Sequence, residues 1–261
     1  MMRGYNVIIV VIIGISIMLN GCNNKDYGES SPNNNQIIVK ESTEKDNSIK
    51  SVEETLKEEV KEETKVTEKE TKKLKEINGF IKIQDLDESI LVDLRYATKN
   101  NFTGKKIYPN NVCVLRKETA EKLAKANAEF KERGYRIKVW DAYRPVYVQK
   151  IFWDIVKDSR FVANPKNGGS KHNKGTAVDI TLVDKNGKEI IMPTDFDNFT
   201  TKAYRSNPNV NKEVRKNVDM LTKIMKDNGF IPLNSEWWHF DDSNSKKYKI
   251  TDIKLEKFLE E

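Results

Sequence analysis

The chain contains two histidines, and each lies in a polar motif that is suited to metal binding. The first motif spans residues 170–179 (SKHNKGTAVD), and the second spans residues 236–239 (EWWH). Two imidazoles and one carboxylate are a usual ligand set for a catalytic zinc ion, with water in the fourth position. The candidate ligands are therefore His172, Asp179 and His239.

Glu236 is not needed as a ligand, which leaves it free to act as a base. A bound zinc ion lowers the pKa of its water to about 7, and a neighbouring carboxylate can take a proton from that water and deliver it to a leaving amine. This chemistry is the metal-assisted hydrolysis of an amide bond. Each histidine taken alone would more often be structural, so the prediction depends on the two motifs together.

A third motif, DAYRP at residues 141–145, places Arg144 at a predicted corner between a strand and a helix. A guanidinium fixed at this corner could stabilise the oxyanion of a tetrahedral intermediate, or hold a substrate carboxylate through two hydrogen bonds. A capping or salt-bridge role for Arg144 is the alternative.

The fold must bring the two histidine motifs together. Gly175 and Thr176 suit a turn that enters a strand over residues 176–183, which places His172 on a loop and Asp179 within the strand. A short final strand is predicted over residues 236–240. Residues three apart in an extended strand face opposite sides, so this segment must bulge or turn for Glu236 and His239 to share a site.

Hydrophobic periodicity predicts the remaining elements of the domain. Alternation predicts strands over residues 80–83 and 135–140, and a hairpin partner over residues 188–191. The helical repeat predicts helices over residues 118–133, 145–156 and 214–229. This order of elements predicts an α+β fold in which an antiparallel sheet is flanked by helices and carries the zinc site.

Composition divides the chain into three regions. Residues 1–22 contain an apolar run over residues 7–19, too short for a membrane-spanning helix of about 20 residues, and end in Leu-Asn-Gly-Cys. This ending resembles a bacterial lipobox and predicts a lipoprotein signal peptide with Cys22 as the lipidated residue. An uncleaved membrane anchor is the alternative. Either interpretation predicts an exported protein.

Residues 23–76 are polar and charged, with too few apolar residues to offset the entropy of ordering. This composition predicts a disordered spacer. A coiled coil is the alternative, but its heptad pattern of apolar residues would have to continue over more heptads than this segment shows. Residues 77–261 are predicted to form one domain, with Cys113 as a small core residue. The net charge of +6 is scattered and forms no basic patch with aromatic residues, which argues against nucleic acid as a partner.

At these motifs the chain resembles the zinc D-Ala-D-Ala peptidases, and within them the VanX-type D-alanyl-D-alanine dipeptidases. The dipeptidases also carry motifs that are similar to LRYAT at residues 94–98, NFTG at 101–104 and WDAYRP at 140–145. The resemblance covers residues 83–241. It implies that His172, Asp179 and His239 hold one zinc ion per domain, that Glu236 is the general base, and that Arg144 stabilises the transition state.

The resemblance also implies a substrate pocket that is lined by Tyr96 and Ser170, in which Asp197 meets the free amine of the substrate. The leading hypothesis is a monomeric zinc dipeptidase that acts on a small D-amino-acid peptide, the dipeptide D-Ala-D-Ala, and is lipid-anchored to the outer face of a bacterial cell membrane. The segment between Pro145 and Ser170 is shorter than in resistance-associated dipeptidases. Since this segment bears on the mouth of the pocket, the sequence leaves open whether substrates longer than a dipeptide are also accepted.

Two other functions are compatible with the zinc motifs. A D,D-carboxypeptidase that trims the terminal D-Ala of peptidoglycan stem peptides would use the same zinc residues. A non-catalytic wall-binding module, similar to hedgehog-type domains, would also keep the metal ligands. A pure binder does not need the base Glu236 or the arginine Arg144, so their presence favours an enzyme.

Overall fold

The computed structural model describes residues 74–259 of the chain. The predicted signal peptide, its Cys22 and the spacer up to residue 73 lie outside the described residues, so these remain predictions. The first strand begins at Glu76. Within residues 74–259, no helix combines the length and the apolar character needed to cross a membrane.

The described residues form two sheets and four α-helices. The strands are β1 (Glu76–Ile77), β2 (Phe80–Lys82), β3 (Leu91–Val92), β4 (Val114–Arg116), β5 (Tyr135–Asp141), β6 (Ala177–Asp184), β7 (Phe230–Pro232) and β8 (His239–Asp242). The helices are α1 (Ile83–Leu86), α2 (Lys117–Glu132), α3 (Val146–Val156) and α4 (Lys212–Asp227). The predicted α+β class is confirmed.

The larger sheet has the strand order β3-β5-β6-β8-β7, and the smaller has the order β1-β2-β4. All pairings are antiparallel except that of β3 with β5, which is parallel. The helices α2 and α4 follow the predicted periodicity, and α4 buries Val214, Val218, Leu221 and Met225 on one face. The side chain of Asn211 caps α4 by accepting a hydrogen bond from the Val214 amide at 2.8 Å.

The two faces of the larger sheet have different neighbours. Asp242 of β8 accepts a hydrogen bond from Thr119 of α2 at 2.6 Å and pairs with Lys122, so this position faces the helix. Because successive side chains of a strand alternate, His239 faces the opposite side. Asp179 of β6 lies directly across from His239 in the register. Two of the predicted metal ligands therefore project from the same side of the sheet, away from α2.

A β-bulge in β5 turns a further carboxylate to this side. Val139 lies opposite Ile180, and Asp141 lies opposite Asp179, so β5 has one residue more than β6 over this stretch. In a regular strand Asp141 would face the same side as Val139. The extra residue moves it to the face of Asp179 instead.

Two predicted strands differ from the structure. The final strand is His239–Asp242 rather than residues 236–240, because a turn closed by the His239 amide and the Glu236 carbonyl at 3.2 Å precedes it. Residues 188–191 form no strand and make only one isolated bridge, between Val183 and Glu189. The chain leaves the sheet before Pro193, which has no amide hydrogen to donate to a ladder.

The sequence did not identify β1, β3, β4 or β7, which have only two or three residues each. Such short segments contain too little alternation to be distinguished from loops. Cys113 is buried in the core, as predicted, and burial raises the pKa of its thiol well above the ordinary value.

Gly175 ends the short 3-10 turn that carries His172 and has a φ of +71°. A β-carbon at this position would lie 2.2 Å from the Phe80 ring. Both the left-handed backbone and the packing therefore require glycine. This explains a glycine in the first motif that has no chemical role of its own.

We predict that Gly175→Ala lowers the free energy of unfolding by about 2–4 kcal/mol, because strain and overpacking act together. Gly187→Ala is the matched control, since its φ of +82° is similar but no atom lies within 4 Å of its added β-carbon. The free energy of unfolding of the control should fall by about 1 kcal/mol, because only the strain of the left-handed backbone acts there. Urea denaturation measures both, and equal losses would contradict the role of the Phe80 contact.

Candidate active site

The three predicted metal ligands meet in one buried cluster. His172 Nε2 lies 3.2 Å from His239 Nδ1, and Asp179 Oδ1 lies 2.9 Å from the same His239 nitrogen. The second Asp179 oxygen, Oδ2, is 3.4 Å from His172 Nε2. Tetrahedral zinc with bonds of about 2.0 Å separates its ligand atoms by about 3.3 Å, so the donor set fits this ion.

Outer hydrogen bonds determine which ring nitrogen each histidine offers. His172 Nδ1 faces the carbonyl oxygen of Ala142 at 2.7 Å, which leaves Nε2 directed at the cluster. His239 Nε2 faces Asp241 Oδ1 at 3.0 Å, which leaves Nδ1 directed at the cluster. Asp241 is held in turn by Lys171 Nζ at 2.5 Å. Such partners orient metal-binding imidazoles and increase their basicity.

The electrostatics of the cluster favour a positive charge. Burial would raise the pKa of Asp179, but the adjacent His172 and His239 hold it well below its usual range. Burial would lower the pKa of His239, yet the hydrogen bonds to Asp179 and Asp241 raise it to about 10. A divalent cation supplies the charge that these buried carboxylates favour.

Arg144 is fixed beside the cluster by a buried network. Its Nε and Nη2 donate to Asp141 Oδ2 at 3.0 and 2.6 Å, and its Nη1 donates to Gln149 Oε1 at 3.0 Å. Asp141 also accepts a hydrogen bond from the Tyr108 hydroxyl at 2.6 Å. The Arg144 Nη2 lies 4.0 Å from Asp179 Oδ2. The guanidinium is therefore oriented at the edge of the metal-binding cluster.

Glu236 lies next to the cluster without belonging to it. Its Oε2 is 3.9 Å from His239 Nδ1, a separation that the turn over residues 236–239 produces. This turn meets the requirement that Glu236 and His239 reach the same side. Burial raises the pKa of Glu236, and the charge of Asp179 adds to this effect. A carboxyl with a raised pKa is better matched to accepting a proton near neutral pH.

Tyr96 and Asp197 come together although 101 residues separate them in the chain. The Tyr96 hydroxyl donates to both Asp197 oxygens, at 3.0 and 3.2 Å. The Tyr96 ring packs on Phe152 with a centroid separation of 4.5 Å. Burial, together with the charge of Asp179, raises the pKa of Asp197 to about 8.

Ser170 begins the 3-10 turn that carries His172 and caps it. Its hydroxyl oxygen accepts a hydrogen bond from the His172 amide at 3.2 Å, and its own amide donates to Asn173 Oδ1 at 2.7 Å. The hydroxyl hydrogen of Ser170 is not used by this cap. Ser170 can therefore serve the turn and still donate to a bound molecule.

All eight predicted site residues within the described part of the chain line one cavity of about 260 Å³. They are Tyr96, Arg144, Ser170, His172, Asp179, Asp197, Glu236 and His239. The cavity thus combines metal-binding donors, a carboxylate that can accept a proton, a fixed cation and polar groups farther from the cluster. This arrangement suits hydrolysis of a small polar molecule.

Sequence reasoning missed three residues that support the site: Asp141, Asp241 and Arg205. Asp141 and Asp241 were recognisable in principle. Asp141 lies within the same motif as Arg144, and Asp241 lies two residues after His239, on the same face of a strand. Arg205 had no such signal, because it lies in a loop remote from every motif.

Arg205 ties together the loop that precedes β8. Its Nη2 donates to the carbonyl oxygens of Glu236 at 3.2 Å and His239 at 3.0 Å, and its Nε donates to the Leu233 carbonyl at 3.3 Å. Its Nη1 donates to Thr222 Oγ1 at 2.8 Å. Within residues 74–259 no carboxylate forms a salt bridge with this buried guanidinium, and burial lowers its pKa to about 9.

We predict that Arg205→Lys weakens metal binding about tenfold, because an ammonium cannot bond the Glu236 and His239 carbonyls in the same fork-like geometry. Unfolding stability should fall by about 2 kcal/mol from the carbonyls left without donors. Chelator competition measures the affinity, and the exposed Arg133→Lys is the control. Unchanged metal affinity in Arg205→Lys would show that the loop keeps its position without the guanidinium.

Comparisons with known proteins agree with this chemistry. A protein-family model described as D-ala-D-ala dipeptidase, Peptidase_M15, matches residues 76–256. A D-alanyl-D-alanine dipeptidase of Escherichia coli (strain K12) is 34% identical over 159 residues, which cover 61% of this chain and 82% of that protein. A D-alanyl-D-alanine dipeptidase of Enterococcus faecium is 29% identical over 182 residues, covering 62% of this chain and 90% of that protein.

Among solved structures, the vancomycin resistance D,D-dipeptidase VanXYg in complex with a D-Ala-D-Ala phosphinate analogue is 21% identical to this chain. The match covers 61% of this chain and 64% of that chain, with a TM-score of 0.33.

Proposed function

The chain belongs to the D-Ala-D-Ala dipeptidase family Peptidase_M15, and from that premise we propose that it is a zinc peptidase that hydrolyses D-alanyl-D-alanine. The observation that carries the proposal is the convergence of His172, Asp179 and His239 with Glu236 and Arg144 in one cavity. The relatives from Escherichia coli and Enterococcus faecium bear the name of this activity. One zinc ion per domain accounts for the three-donor cluster.

His172, Asp179 and His239 would hold the zinc ion, which supplies a Lewis acid that polarises the scissile carbonyl and activates a water molecule. Glu236 takes the proton of the attacking water and delivers it to the nitrogen of the leaving D-alanine. Arg144 donates hydrogen bonds to the oxygen that becomes negatively charged as the water adds. Because Asp141 and Gln149 already fix the guanidinium, little reorganisation is needed during the reaction.

The polar groups farther from the cluster suit the two ends of a dipeptide. Asp197, which is hydrogen-bonded to Tyr96, offers a carboxyl group that can pair with the ammonium group of a substrate. The Ser170 hydroxyl offers a donor for the substrate carboxylate. A free amine is present in the dipeptide and absent at the corresponding nitrogen of a stem peptide. The position of Asp197 in the cavity therefore favours the dipeptidase over the D,D-carboxypeptidase.

We predict that Glu236→Gln lowers kcat on D-Ala-D-Ala by about 10³-fold while zinc content stays at one ion per chain, because an amide cannot accept the proton. Metal analysis and the rate of D-alanine release are the two measurements. Glu213→Gln, at an exposed position of α4, is the control. A chelator should abolish activity, and added zinc should restore it. Full activity of Glu236→Gln would rule out this residue as the base.

We propose further that the protein is exported and anchored by a lipid on Cys22 to the outer face of the cell membrane, with residues 23–76 as a spacer. The motif at residues 19–22 supports the anchor, and the polar composition supports the spacer. Because residues of one chain supply the entire set of predicted site groups, the domain is proposed to act as a monomer.

Cys22→Ser should move the protein from the membrane fraction to the soluble fraction of expressing bacteria, because a serine cannot carry the thioether-linked lipid. Fractionation followed by immunoblotting measures the distribution, and Cys113→Ser is the matched control. A Cys22→Ser protein that stays in the membrane fraction would instead favour an uncleaved N-terminal anchor.

A further inference from the structure

Two stacked phenylalanines separate the catalytic cavity from a neighbouring cavity. The rings of Phe161 and Phe199 lie 5.0 Å apart with an interplanar angle of 29°. Both residues line the catalytic cavity, and both also line a second cavity of about 350 Å³. Arg160 and Glu236 border the two cavities as well. The stacked pair therefore lies at the boundary between the two spaces.

Local contacts hold Phe161 in place. It lies in a turn in which the amides of Phe161 and Val162 donate to the Asp158 carbonyl at 3.2 and 3.0 Å. Val162 is buried, which anchors the turn to the domain. The Arg160 guanidinium lies 5.3 Å from the centre of the Phe161 ring and pairs with the Asp158 carboxylate at 2.5 Å.

Phe199 is supported from the other side by further aromatic rings. It packs edge-on against Phe102 at 5.3 Å, and Phe102 packs against Phe152 at 5.2 Å. Phe152 in turn contacts Tyr96, whose hydroxyl donates a hydrogen bond to Asp197. A continuous aromatic wall therefore runs from the residue pair that is proposed to meet the substrate amine to the stacked phenylalanines.

The chain direction indicates what this wall excludes. Asp197 lines the catalytic cavity, whereas the next residue, Asn198, lines the second cavity. Because Asp197 and the Phe161–Phe199 pair line the same cavity and the aromatic wall joins them, we place the amino end of a substrate whose amine reaches Asp197 beside the pair. A peptide with one more residue before the scissile dipeptide would need the space that these rings occupy. This step rests on the proposed function, which places the amine at Asp197.

We propose that the Phe161–Phe199 pair restricts the substrate to a free dipeptide, and that the second cavity is a subsite for the preceding residue of a longer peptide once the pair is opened. The lining of this cavity suits a peptide, because Thr201 and Ser235 offer hydroxyl groups beside the Tyr204 ring. The side-chain amide of Asn198 remains a donor, while its oxygen accepts a hydrogen bond from the Thr200 hydroxyl at 2.5 Å. Phe161 lies in the short segment between Pro145 and Ser170. The shortness of that segment left open whether the pocket accepts substrates longer than a dipeptide. In this proposal, the segment nevertheless closes the pocket through Phe161.

The test compares kcat/KM for D-Ala-D-Ala with kcat/KM for an N-acetylated tripeptide that ends in D-Ala-D-Ala, using the full-length protein with zinc. Phe161→Ala and Phe199→Ala should each raise the tripeptide-to-dipeptide ratio by about tenfold or more, because the steric block is removed. Tyr147→Ala is the control, since this aromatic residue of α3 lines neither cavity and does not contact the stacked pair. Its ratio should stay within about twofold of the wild-type ratio.

Wild-type activity on the tripeptide equal to that on the dipeptide would overturn the inference, as would unchanged ratios in both alanine variants. Phe161→Leu and Phe199→Leu serve the same comparison if an alanine variant fails to fold, because leucine keeps apolar contact but cannot stack. A wild-type protein that hydrolyses neither peptide would overturn the proposed function and this inference with it. Dipeptide activity with unchanged ratios would overturn the inference alone.

Discussion

The buried carboxylate of Asp141 connects Arg144 to the sheet that carries Asp179 and His239, two of the proposed metal ligands. It accepts hydrogen bonds from Arg144, from the Tyr108 hydroxyl and from the Ala142 amide, so its charge is fully partnered. Breaking such a buried pair by removing one partner typically costs about 3–5 kcal/mol. The bulge in β5 is what directs Asp141 to this side of the sheet. The order of the site therefore depends on one irregularity in an otherwise regular strand.

The site has a rigid half and a half that loops supply. Asp179 and His239 come from paired strands, where the register fixes their distance. Glu236 comes from a turn, and His172 comes from a short 3-10 helix. Local hydrogen bonds, rather than pairing between strands, hold these two segments in place. Arg205 is the clearest example of this support, since its guanidinium donates to the Leu233 and Glu236 carbonyls in the loop before β8 and to the His239 carbonyl where β8 begins. A buried cation without an ion-pair partner is costly, and the order of this loop offsets that cost.

Substrate selection is separated in space from the zinc chemistry. In the proposed function, the metal-binding cluster and Glu236 supply the hydrolytic chemistry that a dipeptidase and a D,D-carboxypeptidase would share. Asp197 and the aromatic wall that ends at Phe161 and Phe199 lie on the side where the amino end of a substrate would be placed. Changes to this side can alter the length of peptide accepted while the hydrolytic machinery stays intact.

The sequence by itself determined the α+β class and the main helices and strands, and it named eight candidate site residues that the described structure brings to one cavity. These depend on hydrophobic periodicity and on motifs with a chemical meaning. It also indicated that the segment must bulge or turn if Glu236 and His239 are to share a site. It did not show that the final strand begins only at His239, or that residues 188–191 leave the sheet.

Only the tertiary structure decided how distant segments meet. The Tyr96–Asp197 hydrogen bond, the loop support from Arg205 and the stacking of Phe161 on Phe199 all join segments with no shared local pattern. Local propensity and periodicity report only on neighbours within a few residues along the chain. Contacts between loops depend on how the whole domain packs, which is why the residues proposed to limit substrate length became visible only in three dimensions.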